Sequence, residues 1–454
     1  MMNALERRST FALSSIFALR MLGLFMIIPV FSVAGQSYQY ATPALLGLAV
    51  GVYGLSQSIL QIPFSLWADR FSRKPLVIIG LLLFAIGGAI AAMSHTIYGV
   101  ILGRAVAGAG AVSAVVMALL ADVTREEQRS KAMAVMGMSI GLSFVVAFSL
   151  GPWLTSLVGI SGLFWVTTLM GLCAIFMLFL VPKTTRHHRN FQQGYLPQLK
   201  AVLKMPDLNR LHVSVFSLHL LLTAMFIYVP SQLIEYAGIP LSKHGLVYLP
   251  LLLIGVLLSF PSIIVAEKYR KMRGIFLFAI TGVVLGLLIL IFGYTSKYVI
   301  LLGLGLFFVA FNVMEALLPS WLSKSAPIQS KATAMGVNAS AQFLGAFFGG
   351  TLGGQLLMLH NTTVGWSILT VISVVWLLIG LGLKQPRYLS SVILKLPEQK
   401  QTDEWTTQLL AIHGIEEVVV MPDQQIAYVK LDKKQLNEDG RQHLTHLLGK
   451  ELVI

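Results

Sequence analysis

The sequence predicts an all-α membrane protein with twelve spanning helices, followed by a small α+β domain at its C-terminal end. The mean hydropathy is +0.78 and only 11% of the residues are charged, whereas soluble domains carry about 25%. Apolar windows of about 20 residues, long enough to cross a bilayer, recur along residues 1–387. Beyond residue 388 these windows stop, and short alternating segments separated by turns follow. These observations exclude a soluble globular protein over residues 1–387.

The formal net charge of +14 would suit a nucleic-acid partner, but the positions of the basic residues do not. Arg20 and Arg104 lie inside apolar windows, and seven bases follow residue 388. Of the other 24 Lys and Arg residues, 22 fall in loops on one side of the predicted membrane, and only Lys243 and Lys297 fall on the other. By the positive-inside rule the basic side faces the cytoplasm. Because the number of windows is even, we expect both termini on that side, membrane lipids as partners and no nucleic acid.

The windows form two groups of six, separated by a basic linker. The first group covers residues 12–33, 44–66, 75–94, 98–121, 131–156 and 161–181, and the second covers residues 210–230, 245–266, 274–294, 298–320, 331–357 and 364–383. Apolar residues at helical spacing in the linker predict an amphipathic helix at the membrane surface. The predicted domains are a six-helix bundle over 1–182, a cytoplasmic linker over 183–209, a second bundle over 210–384 and a tail over 389–454.

Short segments repeat between the two groups at equivalent places. Ser130–Ala134, before the fifth window, matches Ser330–Ala334, before the eleventh, at an offset of 200 residues. Glu267–Lys271, after the eighth window, is similar in charge to Asp69–Arg73, after the second. Two matches at equivalent places indicate an internal duplication, which is common among secondary transporters.

The sequence of the tail predicts a small domain whose elements follow the order β-α-β-β-α-β of the ferredoxin-like fold. The predicted strands cover 389–396, 415–421, 425–431 and 451–454, and the predicted helices cover 402–412 and 434–448. The segment around His413 resembles the heavy-metal-associated version of that fold. That version binds metal through a Cys-x-x-Cys loop, and the single cysteine of this chain is Cys173. We therefore expect no metal site, and an ion or small ligand is the candidate partner of the tail.

The loop after the second window carries an acid followed by three bases, Asp69, Arg70, Arg73 and Lys74. Their spacing resembles motif A of the major facilitator superfamily, Gly-x-x-x-Asp-Arg/Lys-x-Gly-Arg-Arg/Lys, with serines in place of the two glycines. A carboxylate at this point can bind the positive N-terminus of a neighbouring helix. The resemblance implies that Asp69 binds the start of the eleventh span when the protein is open to the outside. It also implies that Arg73 pairs with Asp122, at the end of the fourth span.

Two ionisable residues inside spans are candidates for proton coupling. Arg104 and the small residues after it resemble motif B of the same superfamily, in which the arginine is associated with proton coupling. An arginine in mid-span costs about 2.5–3.5 kcal/mol on insertion scales, so it is rarely idle. The alternative is a structural arginine that binds backbone carbonyl groups. Glu315 is the only carboxylate well inside a window, and it either exchanges a proton or pairs with a base from a loop.

Further polar residues in the windows are candidates for a substrate cavity. Arg20 either binds an anionic or polar group of the substrate or lies near the membrane surface with its head in water. His219 can titrate near neutral pH, although a histidine satisfied by its neighbours is the more common case. The other candidates are the amides Gln57, Gln61, Asn312, Asn338 and Gln342.

The fifth window contains Gly137, Gly141, Gly151 and Pro152. Measured from the Gly-Pro pair, this segment partly resembles motif C, the signature of antiporters, with Met138 and Ala147 in place of two glycines. A proline inside a helix bends it, and small residues allow neighbouring helices to approach closely. The resemblance implies a bent helix and transport by exchange.

The sequence contains no phosphate-binding Gly-Lys-Ser/Thr loop and no nucleophile–base pattern. We therefore expect no ATP-driven pump, no enzyme and no cofactor. The motifs are similar to those of the drug/proton antiporters with twelve spans, which implies two six-helix bundles around a central cavity, a bacterial inner-membrane location, a monomer, and proton-driven export of a small molecule. A proton-coupled importer of a metabolite and a non-transporting sensor are the alternatives.

Overall fold

The computed structural model describes residues 2–182, 195–327, 330–359, 361–386, 388–395, 402–421, 426–432, 435–436, 440 and 442. Helices dominate this part of the chain, and ten of them are long and apolar enough to cross a membrane. Most of the second helix predicted for the tail, the last predicted strand, and linker residues 183–194 lie outside the described residues.

The first half of the chain forms seven helices. They are α1 (Ala4–Phe25), α2 (Ile28–Ala34), α3 (Pro43–Arg70), α4 (Arg73–Met93), α5 (Ile97–Ala109), α6 (Ser113–Val123) and α7 (Glu126–Leu178). Local sequence explains where they begin: Asn3 forms a capping box with Glu6, and the Thr42 side chain caps α3, whose first residue is a proline.

The helices break the predicted windows at two places. The first window is divided between α1 and α2, and the fourth between α5 and α6 around Gly110. The fifth and sixth windows fall in the two parts of α7, which meet at a kink at Gly159, between the two windows. Gly159 has φ 69°, a left-handed conformation that favours glycine. Breaks inside a span are therefore set by single glycines and turns, which a window of average hydropathy does not register.

The second half forms α8 (Tyr195–Leu203), α9 (Pro206–Glu235), α10 (His244–Lys268), α11 (Met272–Gly293), α12 (Lys297–Ser325), α13 (Lys331–Leu356) and α14 (Thr362–Leu381). The predicted linker helix is the short α8, and the Thr333 hydroxyl of α13 donates to Gln198 Oε1 of α8 at 2.9 Å. The eleventh predicted span coincides with α13, which is rich in glycine and polar residues and is not among the ten apolar spans.

The described part of the tail is a three-stranded antiparallel sheet with one helix. It consists of β1 (Ser390–Lys395), α15 (Thr402–Leu410), β2 (Ile415–Met421) and β3 (Ile426–Leu431), in the sheet order β1-β3-β2. Leu409 of α15 packs with Val429 and Leu431 of β3 in a core of its own. Gly414, with φ +96°, makes the turn into β2. The tail therefore has a hydrophobic core separate from those of the helices.

The bundle has two distinct ends. We call the end at which α1 begins and α3 ends the termini end, and the opposite end, at which α3 begins and α9 ends, the far end. Towards the far end the two halves are in close contact. A Cβ placed on Gly47 of α3 would lie 2.3 Å from the carbonyl oxygen of Gly350 in α13, and one on Gly245 of α10 would lie 2.0 Å from that of Ser149 in α7. The halves are therefore closed against each other at the far end.

Nearer the termini end the two helix pairs differ: α3 and α13 stay in contact, whereas α7 has exposed glycines. In α7, Gly137 and Gly141 are exposed, and a Cβ on either glycine would have no neighbour within 4 Å. Between α3 and α13, Ser58 and Ser340 donate to each other's carbonyl oxygens at 3.1 and 3.3 Å.

Candidate functional site

A buried polar cluster lies in the first half around Arg20, which is 2% exposed. Its guanidinium donates to Ser113 Oγ at 2.6 Å, to Gln57 Oε1 at 2.7 Å and to the Tyr53 hydroxyl at 3.1 Å. Gln57 Nε2 also donates to Ser113 Oγ, at 3.3 Å. Neither Ser113 nor Tyr53 is among the residues that the sequence predicts for the cavity, because a serine and a tyrosine carry no distinctive signal in an apolar span. Arg20 is thus held inside the bundle and does not extend to the membrane surface.

The break between α5 and α6 places Ser113 in this cluster. Ser113 is the first residue of α6, directly after the turn at Gly110. Two glycines allow this turn to lie against neighbouring helices. A Cβ on Gly110 would lie 2.1 Å from the carbonyl oxygen of Gly80, and a Cβ on Gly108 would lie 2.3 Å from that of Tyr53. The small residues after Arg104 therefore allow the approach that brings α3, α5 and α6 together.

Arg104, 3% exposed, binds backbone groups in the same region. It donates to the carbonyl oxygens of Ala49 and Val50 at 3.3 and 3.4 Å, and its guanidinium carbon lies 4.8 Å from the centre of the Tyr53 ring. Among the described residues, no carboxylate pairs with Arg104 or Arg20. The geometry matches the structural alternative given for Arg104, and two buried cations adjoin the same tyrosine.

A second polar cluster, in the other half, joins three helices. His219 Nε2 lies 2.8 Å from Gln342 Nε2 and 3.6 Å from Glu315 Oε2. His219 Nδ1 lies 3.0 Å from the carbonyl oxygen of Val215. Since a carbonyl only accepts, Nδ1 carries a hydrogen, and in the neutral ring Nε2 accepts from Gln342. The Glu315 side chain is 44% exposed, so this cluster joins a buried histidine to an accessible carboxylate.

The other predicted cavity residues have different surroundings. Gln57 and Gln61 are 0% and 2% exposed, so neither lines an open cavity in this structure, and the Gln61 Oε1 atom has no hydrogen-bond partner. Asn312 donates to the carbonyl oxygen of Phe308 in its own helix, at 2.8 Å. Asn338 lies 3.4 Å from His212, a buried histidine that the sequence analysis did not select.

An aromatic cluster lies beside the second polar cluster and joins the halves. Phe144 stacks on Phe311 with ring centres 5.6 Å apart, and Phe148 contacts Phe226 edge to face at 4.1 Å. Phe311 also contacts the His219 ring at 6.1 Å. Such pairs stabilise beyond the area that they bury, by about 0.5–1.5 kcal/mol each. No sequence signal marked this cluster, because phenylalanine occurs in most of the predicted spans.

Part of the motif A loop forms polar contacts within the first half. Arg73 forms an ion pair with Asp122 and donates to the carbonyl oxygen of Ala118 at 2.8 Å. Lys74 donates to the carbonyl oxygen of Val181. The side chains of Asp69 and Arg70 lie outside the described part of the structure. The contacts of Arg73 and Lys74 hold the start of α4 to α6 and to the segment after α7.

The candidate residues of motif C differ from one another. A Cβ on Gly151 would lie 2.7 Å from the carbonyl oxygen of Met26, so this glycine allows close approach of α1 and α7. Gly137 and Gly141 have no such neighbour. Pro152 lies inside α7, but the non-helical backbone conformation of that helix is at Gly159, seven residues later.

The tail is attached to the second half by charged contacts. Arg270, between α10 and α11, donates through both terminal nitrogens to the carboxylate of Asp432, at 2.9 and 2.6 Å. These hydrogen bonds raise the pKa of Arg270. Lys430 of β3 donates to the carbonyl oxygen of Ala326, which follows α12. The loop that repeats the charge pattern of motif A in the second half therefore binds the tail.

Comparison with known proteins gives matches over both parts of the chain. The model of the Major Facilitator Superfamily matches residues 13–350, and that of the YajR YAM domain matches residues 393–441. The inner membrane transport protein YajR of Escherichia coli (strain K12) is 42% identical over 435 residues, covering 95% of this chain and 96% of that protein. Multidrug resistance protein 2 of Bacillus subtilis (strain 168) is 25% identical over 360 residues, covering 77% of this chain and 88% of that protein.

A solved D-xylose–proton symporter has the same fold as this chain, with a TM-score of 0.71 at 15% identity, covering 84% of this chain and 99% of the symporter. The superfamily model covers α1 to α13 almost completely, and the tail matches a domain named after the Escherichia coli relative. The chain therefore belongs to the major facilitator superfamily, a family of membrane transporters and not of enzymes.

Proposed function

We propose that the protein is a proton-coupled secondary transporter that exports a small molecule by alternating access. The observation that carries this proposal is the cluster of His219, Gln342 and Glu315, which joins α9, α13 and α12 beside the aromatic contacts between the halves. A titratable pair at this place can couple a proton to the relative movement of the halves. Similarity to a protein named as a multidrug resistance protein supports export.

The cluster has a different set of hydrogen bonds in each protonation state. With a neutral ring, His219 Nε2 accepts from Gln342, and Glu315 is free to hold or release a proton on its exposed side. When His219 is protonated, Nε2 becomes a donor, and the carboxylate of Glu315, 3.6 Å away, is the acceptor within reach. Gln342 then loses its acceptor. Since Gln342 belongs to α13, which packs against α3 of the other half, this exchange acts on the interface between the halves.

Alternating access is supported by the close contact of the two halves at the far end. We propose that the termini end is cytoplasmic, so the structure represents a state closed to the outside. The predicted contact between Asp69 and the start of α13 would belong to the opposite state. In this proposal α7 supplies two spans and α13 one more, which gives twelve spans in two bundles of six, acting as a monomer.

The proposed tail is a ferredoxin-like domain that modulates transport. The strand order β1-β3-β2 and the position of α15 between β1 and β2 support this fold. The contacts of Asp432 and Lys430 attach the tail to the loops that flank α10, α11 and α12. A domain bound to one half can bias the movement of that half against the other.

A metabolite importer is the second candidate, and the environment of Arg20 favours it. Arg20 and Arg104 are buried without a carboxylate partner among the described residues, and buried charges are usually paired. An anionic substrate would supply the missing charge. Under this alternative the substrate and the proton would move in the same direction.

Transport in proteoliposomes tests the proposed function. A thermal-shift screen of the purified protein against drug-like molecules and metabolites supplies a ligand. Addition of that ligand should then move protons opposite to the substrate for an exporter, or with it for an importer. The Glu315→Gln variant should lose gradient-driven accumulation and keep exchange of labelled for unlabelled ligand at equilibrium, because exchange needs no net proton transfer. Equal accumulation by Glu315→Gln, His219→Gln and the wild type would remove this cluster from coupling.

A further inference from the structure

The far end contains a cavity that does not share residues with the two polar clusters. Its volume is about 320 Å³, near the lower limit of roughly 300–1,000 Å³ for small-molecule pockets. Ser32, in the last turn of α2, and Gln36, just after that helix, form one wall. Gln232 and Glu235 at the end of α9, together with Tyr236, form the opposite wall. The cavity therefore lies between the two halves of the protein.

Two buried polar groups in the walls of the cavity have no hydrogen-bond partner. Gln232 is 4% exposed and its Oε1 atom has no partner, and Ser32 is 2% exposed with an unpartnered hydroxyl. Glu235 is exposed, and within the described residues it forms no ion pair. An unsatisfied buried acceptor costs about 1–3 kcal/mol. A ligand that donates hydrogen bonds would remove part of this cost.

Aromatic groups complete the environment. Tyr228 and Tyr236 line the cavity, and both hydroxyls are engaged with Thr362, at 3.2 Å and 3.4 Å. The hydroxyls are therefore occupied, and the two rings pack edge to face against Trp366 and Tyr294, with ring centres 5.1 Å apart in both pairs. The rings thus form an apolar wall. The carboxylate of Glu235 and the unpartnered amide oxygen of Gln232 favour a positively charged ligand.

We propose that this cavity binds a small organic cation, such as a primary amine, from the far side of the membrane. The ammonium group would donate to Glu235 and to Gln232 Oε1, and the organic part would contact the tyrosine rings. Because Ser32 and Gln36 come from the other half, the bound cation contacts both halves and stabilises the state that is closed at the far end. An amine on this side of the membrane then opposes opening and slows transport.

Binding to the full-length protein in nanodiscs tests this site, with three probes of equal size: benzylammonium, benzyl alcohol and benzoate. Isothermal titration should show binding of the cation and no binding of the neutral and anionic probes at the same concentrations. Glu235→Gln should weaken benzylammonium binding by about tenfold, the loss of one hydrogen bond to a charged group. Gln232→Glu adds a second carboxylate and should tighten it. Asp207→Asn removes a carboxylate at the opposite end of α9 from Glu235, so it is the control and should bind as the wild type does.

Thiol protection locates the probe independently of affinity. In a Cys173→Ser background, a Leu359→Cys variant places a thiol in the exposed wall of the cavity, and benzylammonium should slow its reaction with a maleimide. Absence of wild-type binding, or equal binding by Glu235→Gln, would overturn the proposal. The proposal would also be overturned if Glu315→Gln lost binding while Glu235→Gln kept it. The cation would then occupy the second polar cluster, around His219 and Glu315. That last result would leave the proposed transport function intact.

Discussion

At the scale of single residues, the protein keeps charged groups in the bundle by surrounding them with neutral acceptors. Arg20 is bound by a hydroxyl, an amide oxygen and a phenol, and Arg104 by two carbonyl oxygens and a ring face. The planar guanidinium suits this, because its five donors point in fixed directions. Tyr53 serves both arginines, through its hydroxyl and its ring.

Removal of the Tyr53 hydroxyl tests this arrangement. Tyr53→Phe keeps the ring that faces Arg104 and removes one acceptor of Arg20, so we expect the free energy of unfolding to fall by about 1–3 kcal/mol. Unfolding by denaturant in detergent micelles measures the change. Tyr40→Phe is the matched control, since Tyr40 is 69% exposed, and should have no effect. Equal stability of Tyr53→Phe and the wild type would show that water or another group satisfies Arg20.

At the scale of helices, close approach is decided by glycines on the face that meets a neighbour. In α3, Gly47, Gly51 and Gly54 recur along one side, and a Cβ on each would lie within 2.3–2.6 Å of a carbonyl oxygen of α13. In α7, Gly137 and Gly141 have no close neighbour. The same residue type thus has opposite structural consequences, according to the helix face that it occupies.

Substitution by alanine separates these two classes of glycine. Gly47→Ala should force α3 and α13 apart at the far end, because the methyl group would overlap the Gly350 carbonyl at 2.3 Å. We expect faster maleimide labelling of the Leu359→Cys thiol in the Cys173→Ser background. Gly137→Ala is the control and should leave this labelling rate unchanged. If Gly47→Ala labels no faster than its parent, the far-end contact does not depend on this glycine.

At the scale of the whole molecule, the second half and the tail form one connected unit. The bidentate pair of Arg270 and Asp432 and the contact between Lys430 and Ala326 hold the sheet against the ends of α10 and α12. Arg270 has φ 55°, an uncommon conformation for a residue with a side chain. The loop is therefore shaped so that this arginine reaches the tail.

The attachment of the tail should depend on this pair and not on pH in the neutral range. The hydrogen bonds to Asp432 raise the pKa of Arg270 above its usual value. The contribution of this pair to the attachment of the tail is therefore complete below the ordinary pKa of arginine, and it is lost only in strong alkali, as the pH rises past the raised pKa. We expect Asp432→Asn to increase proteolysis of the segment before β1. The wild type should be cut at the same slow rate from pH 6 to 9. Equal cleavage of the variant and the wild type would show that other contacts suffice.

From its sequence alone the chain is predicted to be a polytopic membrane protein of duplicated halves with a separately folded tail. These properties follow from hydropathy and charge, which act on each segment independently of its neighbours. The bases of motif A and motif B were also recognisable, because their spacing is local. Even so, the windows do not register the break at Gly110, which lies inside the fourth window, whereas Gly159 lies in the predicted gap between the fifth and sixth.

The tertiary structure alone decided which polar groups meet. Ser113 and Gln57 lie 93 and 37 residues from Arg20, and His219 lies 123 residues from Gln342. It also decided that the far end is closed. Burial of an apolar segment depends on its own composition, whereas a hydrogen bond or an ion pair requires two groups at about 3 Å with the right orientation. That requirement is met only when helices distant in sequence are packed together.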